Sequence, residues 1–327
     1  MAEQKLNLVG LSKLFTDEDK AREFIESKLW PGGPVCPHCA SATYYKLTAK
    51  PDSKRPVRAG VYKCKDCRKQ YTVRIGTIFE DSHIPFSKWL MALHLMTSSK
   101  KGVSALQISR EVGVTIKSAW FLCHRIREAM RTENPAPLTG EVQVDETYVG
   151  GKPRPAYRRK KDTHGLSKKD APHAKPANAN YGRGTKKAPV AVLVERDARS
   201  LCQHVERTNG AVLKELIRVN VTPDSTIVTD DYSAYRGIGK EFEGGHQVVK
   251  HSHNEYVNIE GHHTNTAESF FALLKRGHYG VFHSMSKQHL HRYCDEFEFR
   301  WNHRKVTDGE RMIAAIQGAE GKRLKYA

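Results

Sequence analysis

Two Cys-x-x-Cys pairs constrain the fold of this 327-residue chain more than any other feature. Cys36 and Cys39 form the first pair, and Cys64 and Cys67 form the second. Each pair presents two thiolates on one tight turn, and two such turns complete the tetrahedral set of four sulfur ligands that Zn²⁺ prefers. We therefore predict a zinc ribbon in residues 36–78. Its zinc is structural, because four thiolates leave no open position for catalysis.

Three further cysteines, Cys123, Cys202 and Cys294, lie in helical or strand patterns without a partner at metal-ligand spacing. We predict that they are buried free thiols. His38 lies inside the first pair and is predicted to be a neighbour of the metal, not a ligand. Seven cysteines in a chain whose first twenty residues lack a continuous apolar segment indicate a reducing compartment and no secretion signal.

The charge of the chain narrows the choice of partner. Lys and Arg number 54 against 36 Asp and Glu, which gives a formal net charge of +18. A chain this basic is typical of proteins that bind a polyanion, and nucleic acid is the first candidate. No apolar run approaches the roughly 18 residues that a membrane-spanning helix needs, so we expect a soluble protein without a membrane partner.

Hydrophobic periodicity divides the chain into segments of different character. It predicts an amphipathic helix over 16–30 and a helical region over 85–131 that is broken by Gly102 and Gly113. From Gly140 onward, strands rich in Val and Ile alternate with helices, which is typical of an α/β domain. The predicted strands are 141–149, 189–195, 201–206 and 225–229, and the predicted helices are 211–219, 264–276 and 286–300.

The helical region has the pattern of a helix-turn-helix. Ser104 and Thr115 are suitable N-caps, and Gly113 allows the turn between the helices. Lys117 and Ser118 then lie near the start of the second helix and are candidate DNA contacts. The apolar side chains predicted to pack between the helices are Leu106, Val112, Val114, Ile116, Trp120 and Ile126. The alternative is a helical hairpin in a core that does not touch DNA.

Two groups of basic residues favour contact with DNA. Arg125, Arg127 and Arg131 lie farther along the second helix, and Arg125 is a further candidate DNA contact. Residues 152–187 contain twelve Lys or Arg against two Asp, and they are too polar to fold alone. We predict that they form a mobile surface loop that lies along phosphates. The alternative is a solvated loop that only aids solubility.

Three carboxylates in the α/β domain occupy positions that suit chemistry. Asp145 lies in the first strand, on the face opposite to its valines. Asp230 ends the fourth strand, where α/β sheets form their crevices, and Glu268 lies near the start of the helix predicted over 264–276. Strand, strand end and helix is the order of the RNase H-like arrangement. Converging carboxylates repel one another unless cations lie between them, and oxygen ligands select Mg²⁺ or Mn²⁺.

Seven sequence blocks occur in one order along the chain: Trp30-Pro31-Gly32-Gly33, Gly76-Thr77-Ile78-Phe79, Val144-Asp145-Glu146-Thr147-Tyr148-Val149-Gly150-Gly151-Lys152, Thr229-Asp230-Asp231-Tyr232-Ser233-Ala234-Tyr235, His263-Thr264-Asn265-Thr266-Ala267-Glu268-Ser269, Lys275-Arg276-Gly277 and His289-Leu290-His291-Arg292-Tyr293-Cys294-Asp295-Glu296-Phe297. Together they span nearly the whole chain. The chain resembles the DDE insertion-sequence transposases with an N-terminal zinc ribbon, the ISXO-like group. The long basic stretch after Lys152 departs from the pattern of that family.

The resemblance implies an RNase H-like catalytic domain in which Asp145, Asp230 and Glu268 bind Mg²⁺ or Mn²⁺. It implies an enzyme that binds the terminal inverted repeats of an insertion sequence, cuts DNA there and joins the ends to target DNA. Glu146 and Asp231, each next to a proposed ligand, are the alternative ligands at two positions.

Three other residues accompany the proposed ligands. Asn265 is a candidate for a hydrogen bond near the site, and Lys275 and Arg276 are candidate phosphate contacts. Because two element ends are brought together, we expect a homo-oligomer on DNA, in the bacterial cytoplasm and on the nucleoid when bound. The predicted segments are a helix and zinc ribbon (1–82), a helix-turn-helix (83–134), the RNase H-like domain with the basic loop inserted (138–305) and a C-terminal tail (306–327).

Two other interpretations stay open. A histidine-metal nuclease is suggested by His251 and His253, but it explains neither Asp145 nor Asp230. A catalytically silent DNA-binding regulator would keep the ribbon and the helix-turn-helix without cutting DNA. Convergence of the three carboxylates within reach of shared metal ions would favour an active enzyme.

Overall fold

The computed structural model describes residues 8–48, 57–150, 187–250 and 257–325. The chain folds into two compact units. The first comprises Met1–Ala136, Tyr279–His283 and His291–Ala327, and the second comprises Pro137–His278 and Ser284–Leu290. Within the described ranges, no helix is both long enough and apolar enough to cross a membrane.

The described part of the first unit is mainly helical. Its helices are α1 (Leu8–Thr16), α2 (Glu18–Leu29), α3 (Phe86–Ser98), α4 (Ala105–Val112), α5 (Ile116–Met130), nearly all of α8 (Leu290–Asn302) and α9 (Asp308–Gln317). Ser104 and Thr115 each accept a hydrogen bond from a backbone N–H of the helix that follows, which confirms both predicted caps. Gly113 ends α4 with a φ of 67°, a left-handed conformation that glycine adopts without steric cost.

The segment 306–327, predicted to be a tail, contains a packed helix. α9 contacts α3, α2 and α5. Its buried side chains Met312, Ala315 and Ile316 belong to the same core as Trp89 and Leu93 of α3. The four predicted segments therefore do not correspond to the two observed units. Periodicity shows that a helix is amphipathic, but it does not show which core covers the apolar face.

A buried ionic network joins α5 to α8. Glu296 is fully buried and accepts hydrogen bonds from Arg127 at 2.6 Å and from Arg300 at 2.5 Å. Burial favours the neutral carboxyl group, but the two guanidinium groups outweigh it and hold the pKa of Glu296 below its usual value. Arg300 also donates to the backbone carbonyl of Ser99.

Replacing Glu296 with glutamine will lower the free energy of unfolding of the first unit by about 3 to 5 kcal/mol, because two guanidinium groups then stay buried without a counter-charge. Urea denaturation followed by tryptophan fluorescence reports this unit alone, since all four tryptophans belong to it. Glu133→Gln is the control, because Glu133 is an exposed partner of Arg131 and its loss should cost less than about 1 kcal/mol. Equal losses in the two variants would contradict this account of the network.

A small antiparallel sheet in the first unit carries the second cysteine pair. Its strands are β1 (Tyr44–Lys46), β2 (Tyr62–Cys64) and β3 (Gln70–Tyr71), in that order. Tyr62 stacks on Tyr71, and the ring of Trp30 packs edge-on against both. The buried residues of this cluster are only Cys36, Tyr62, Cys64 and Tyr71. A core with so few apolar side chains is not stable by itself, so this part of the chain needs a metal or another cross-link to fold.

The second unit is built on a five-stranded mixed sheet. Its strands are β4 (Glu141–Val149), β5 (Ala188–Glu195), β6 (Ser200–His204), β7 (Thr226–Asp230) and β8 (His246–Val249), in the order β6-β5-β4-β7-β8. β5 is antiparallel to β4 and β6, whereas β7 runs parallel to β4 and β8. The four predicted strands are confirmed, with ends shifted by at most two residues. β8 was not predicted.

Helices cover both faces of β4. On one face, Val142 and Val144 pack in a core with Leu213 and Ile217 of α6 (Gly210–Asn220). On the other face, α7 (Asn265–Gly277) contacts β4 and β5. These helices and α8 confirm the three predicted in this part of the chain, although α8 begins four residues later than expected.

Candidate functional site

The four cysteines of the two pairs come together in the first unit. The Sγ atoms of Cys36 and Cys67 lie 3.7 Å apart, and those of Cys39 and Cys64 lie 3.6 Å apart. All four sulfur atoms lie within 4.8 Å of one another, which fits a metal site. Burial disfavours the thiolate of Cys64, but the backbone N–H groups of Cys67 and Asp66 outweigh it and lower the pKa of Cys64 to about 6. The thiolate that a metal requires is therefore favoured.

The other cysteines do not take part in this group. Cys123, Cys202 and Cys294 are buried thiols that form no disulfide bond, as predicted. Burial raises the pKa of Cys123 to about 12, so this thiol is unreactive. His38 lies outside the four-sulfur group and is exposed.

The first turn of α5 presents an exposed surface. Val112 and Ile126, predicted to pack between the two helices, are buried in the core of the first unit. Leu106 and Ile116 were predicted to pack there as well, but they are 52% and 59% exposed. Lys117, a candidate DNA contact, is exposed beside Ile116, and Ser118, the other, is half-buried.

Arg125 was predicted to contact DNA, and the structure assigns it a different role. Its side chain is buried, and its guanidinium donates hydrogen bonds to the backbone carbonyls of Ile78 and Glu80. It also stacks over the ring of Phe121. Arg127, cited with it as a basic residue of the same helix, is buried against Glu296. Neither side chain is exposed to a nucleic acid.

Asp145 and Asp230 are brought together by the sheet. Asp145 alternates with Val142 and Val144 and lies on the face of β4 that α7 covers. In the parallel pairing of β4 with β7, Gln143 lies opposite Val228 and Val144 opposite Thr229. The next step of this register places Asp145 beside Asp230, on strands that are about 4.8 Å apart.

Glu268 lies on α7, the helix that covers this face of β4, and its side chain is exposed. It lies in the first turn of this helix, one residue after the buried Ala267. The N–H groups of Thr266 and Ala267 donate to Oε1 of Gln143, at 3.0 and 3.2 Å. Gln143, two residues before Asp145 on the same face of β4, therefore fixes the first turn of α7. Gln143 was not predicted as a functional residue, because the sequence does not show which group a polar side chain inside a strand will contact.

Asp145 is affected by the negative charges of several other carboxylates. Burial, together with the negative charges of Glu146, Asp230 and Glu268, raises the pKa of Asp145 to about 7. The ligand atoms of the three carboxylates are nevertheless not all within 4.8 Å of one another, since the four cysteines are the only such group among the described residues.

The two alternative ligands are placed differently from Asp145 and Asp230. Glu146 points to the opposite face of β4, where it accepts a hydrogen bond from the buried hydroxyl of Tyr235 at 2.7 Å. Asp231 follows the end of β7 and is exposed. This placement is the one that period-two alternation predicts for Glu146.

Other predicted residues lie around this region or outside the described part of the chain. Asn265, Lys275 and Arg276 are exposed on α7. Residues 152–186 of the predicted basic loop lie outside the described residues, as do His251 and His253. Within the described ranges, no group of three metal-ligating side chains includes a histidine.

The residues that form the five-stranded sheet and its helices match the sequence model of a known family. A family model described as an ISXO2-like transposase domain matches residues 137–302, which is half of the chain. The chain belongs to the ISXO2-like transposase family. A second model, described as a transposase zinc-ribbon domain, matches residues 16–70, which include all four cysteines. Both matches confirm the resemblance predicted from the sequence blocks.

A relative and two solved structures are similar to this ISXO2-like transposase. The relative is an uncharacterized protein in transposable element ISH50 of Halobacterium salinarum, 28% identical over 299 residues that cover 88% of this chain and 92% of the relative. A pre-cleavage Mos1 transpososome aligns at 16% identity over 68% of this chain and 76% of that chain, with a TM-score of 0.24. The Mos1 strand transfer complex aligns at 14% identity over 67% and 78%, with a TM-score of 0.22. Scores this low do not establish a shared fold.

Replacing Asp145 with asparagine will stabilise the second unit above pH 7 in buffer without free divalent cations. Its folded pKa of about 7 lies above the ordinary aspartate value of 3.8, so the folded protein holds a proton that the unfolded chain has released, and stability falls as the pH rises between these two values. The asparagine variant does not undergo this loss, which is on the order of 4 kcal/mol at about 1.4 kcal/mol per pKa unit.

Calorimetric melting temperatures at pH 5 and pH 8 measure this effect, with Asp231→Asn as the control because Asp231 is exposed. The gain should be larger at pH 8. A gain that did not depend on pH would contradict the charge argument.

Proposed function

We propose that this transposase binds the ends of an insertion sequence, cleaves DNA there and joins the freed ends to target DNA, with Asp145, Asp230 and Glu268 at the reacting phosphate. The observation that carries the proposal is that Asp145 lies on the face of β4 that α7 covers, while Asp230 ends the parallel neighbour β7 and Glu268 lies in the first turn of α7. A buried carboxylate among like charges is unfavourable without a binding partner, and such arrangements are typical of functional sites.

The strand order supports an RNase H-like architecture for residues 137–302. Three antiparallel strands in the order β6-β5-β4 are followed by two that run parallel to β4, and helices cover both faces of the central strand. Asp145 on the central strand, Asp230 at the end of its parallel neighbour and Glu268 on α7 occupy the predicted positions of strand, strand end and helix.

The donor set around Asp145 fits hard divalent cations. It consists of carboxylate oxygens, the ligands that Mg²⁺ and Mn²⁺ prefer, and the repulsion between Asp145 and its neighbouring carboxylates is the kind that a bound cation relieves. Bound there, the metal ions would activate a water for attack on the phosphodiester and stabilise the leaving 3′ oxygen. Asp145, Asp230 and Glu268 would hold them, while Tyr235 keeps Glu146 on the opposite face of β4.

Other surfaces of the chain are suited to the DNA itself. We propose that α4 and α5 form a helix-turn-helix whose exposed first turn at Ile116 and Lys117 contacts the element end, with Ser118 beside it. Lys275 and Arg276, exposed on the last turn of α7, would bind phosphate. The net charge of +18 favours both contacts.

Two further parts complete the proposal. The four-sulfur group holds one structural zinc ion, which supplies folding energy to the ribbon. Because the reaction joins two element ends to one target, the active form on DNA is at least a homodimer.

The test is a cleavage assay on labelled DNA that carries the inverted repeat flanking the coding region. The purified, zinc-loaded chain should nick this DNA at the repeat boundary only when Mg²⁺ or Mn²⁺ is added, and the ends should join to a plasmid target. DNA with a scrambled repeat is the control. Specific binding without cleavage under any divalent cation would favour a silent DNA-binding regulator instead.

A further inference from the structure

Gln143 is a buried polar residue in the middle of β4, and the structure uses its whole amide group. It is fully buried. Its Oε1 accepts hydrogen bonds from the N–H groups of Thr266 and Ala267, and its Nε2 lies 3.2 Å from Nδ1 of His263. One strand residue thus bonds to both the first turn of α7 and the segment that leads into it.

This contact replaces the usual cap of α7. The N-cap residue Thr264 makes no side-chain hydrogen bond to the first turn. Free N–H groups at the start of a helix need an acceptor, and a buried start without one is costly. Gln143 supplies the acceptor from the neighbouring strand, so the position of α7 depends on β4 and not on its own cap.

A second contact on the same face of β4 reinforces the first. Nδ1 of His262 lies 2.8 Å from Oε2 of Glu141, the first residue of the strand. Glu141, Gln143 and Asp145 all point to this face because strand residues alternate. Along this face of β4, Glu141 therefore contacts His262 and Gln143 contacts the first turn of α7. Asp145 is the next residue on the same face, which α7 covers with Glu268 in its first turn.

We propose that Gln143 is a positioning residue that sets Glu268 against Asp145, so that the carboxylates bind metal together. This inference rests on the proposed function of the triad. Glu268 follows Ala267 directly, and so its backbone is fixed by the same hydrogen bonds. Gln143 touches neither DNA nor metal and acts through Glu268 alone.

The decisive variants test the hydrogen-bond acceptor of the Gln143 side chain separately from the volume of that side chain. Gln143→Met keeps the chain length but cannot accept from Thr266 and Ala267. Gln143→Glu keeps the acceptor and is expected to restore the contact. Val194→Ala is the stability control. Val194 is buried on β5 directly opposite Gln143, and its side chain cannot form a hydrogen bond to α7.

Two measurements on the full zinc-loaded chain test the proposal. Amide hydrogen exchange at Thr266 and Ala267 should speed up at least tenfold in Gln143→Met and stay near the wild-type rate in Gln143→Glu and Val194→Ala. Mn²⁺ affinity, from the electron paramagnetic resonance of free Mn²⁺, should fall at least tenfold in Gln143→Met only. In a Glu268→Gln background, Gln143→Met should cause no further loss.

The outcomes separate this inference from the proposed function. Two results would overturn the positioning role while Asp145→Asn still abolished Mn²⁺ binding. One is wild-type Mn²⁺ affinity in Gln143→Met. The other is a loss of Mn²⁺ affinity on adding Gln143→Met to Glu268→Gln that equals the loss in the wild-type background. Wild-type Mn²⁺ affinity in Asp145→Asn would overturn the metal site, and the positioning role with it.

Discussion

Asp145→Asn, Asp230→Asn and Glu268→Gln will each lower the rate of Mg²⁺-dependent cleavage of an element end by about a thousandfold or more. Each change removes one negative charge and one metal ligand while nearly preserving shape. Metal ions contribute several kcal/mol to the stabilisation of a phosphoryl transition state, and each 1.4 kcal/mol corresponds to about a factor of ten in rate. Single-turnover cleavage of a labelled element end measures the loss.

Binding of the element end should survive in the three variants. Carboxylates repel phosphate in the absence of cations, so the loss of one can even tighten metal-free binding. Gel-shift affinity without divalent cations therefore separates a catalytic defect from misfolding.

Glu146→Gln and Asp231→Asn are the matched controls for the triad. Glutamine at position 146 can still accept the hydrogen bond from Tyr235, and Asp231 is exposed. Both variants should cleave within about threefold of the wild-type rate, a difference of less than 1 kcal/mol. Full activity in a triad variant, or none in a folded control, would overturn the ligand assignment at that position.

Cys36→Ser will release the zinc and unfold the ribbon, while the second unit stays folded. A structural zinc site contributes about 10 to 16 kcal/mol of binding free energy, and the four-residue buried cluster of the ribbon cannot replace it. The second unit has its own core around Val142 and Leu213, so it does not depend on the ribbon. Zinc per chain by mass spectrometry, together with limited proteolysis of residues 36–78, measures both effects.

Cys202→Ser is the control for this experiment, since it makes the same chemical change at a buried cysteine outside the four-sulfur group. It should keep one zinc per chain. Freshly purified wild-type protein without zinc, or Cys36→Ser with a full zinc content, would rule out the four-thiolate site.

Much of the fold follows from local patterns in the chain. Alternation of apolar residues locates β4 to within a residue, because a strand with one covered face repeats that face every second position. The same alternation separates Asp145 from Glu146, whose side chains lie on opposite faces of the strand. β8 was missed because His246–Val249 is only partly buried and has no clear alternation.

Charged residues of the helices were the weakest predictions. Arg125 and Arg127 were expected at a DNA surface, but Ile78 and Glu296 bind them inside the first unit. A cation at a helical position is suited equally to phosphate and to a carboxylate or carbonyl from elsewhere in the chain. The partner comes from residues far away in sequence, so helix periodicity does not specify it.

The spacing of the cysteine pairs was sufficient to predict the four-sulfur group, and the motif blocks were sufficient to predict the family, because both signals are contained in short stretches of chain. The grouping of α9 with α3 in one core, the burial of Glu296 between two arginines and the capping of α7 by Gln143 depend on the folded chain. Each depends on a contact between segments more than a hundred residues apart, namely α9 with α3, Arg127 with Glu296, and Gln143 with Thr266. Burial and hydrogen-bond partners are properties of the folded chain. A local sequence pattern identifies only one of the two residues in each contact.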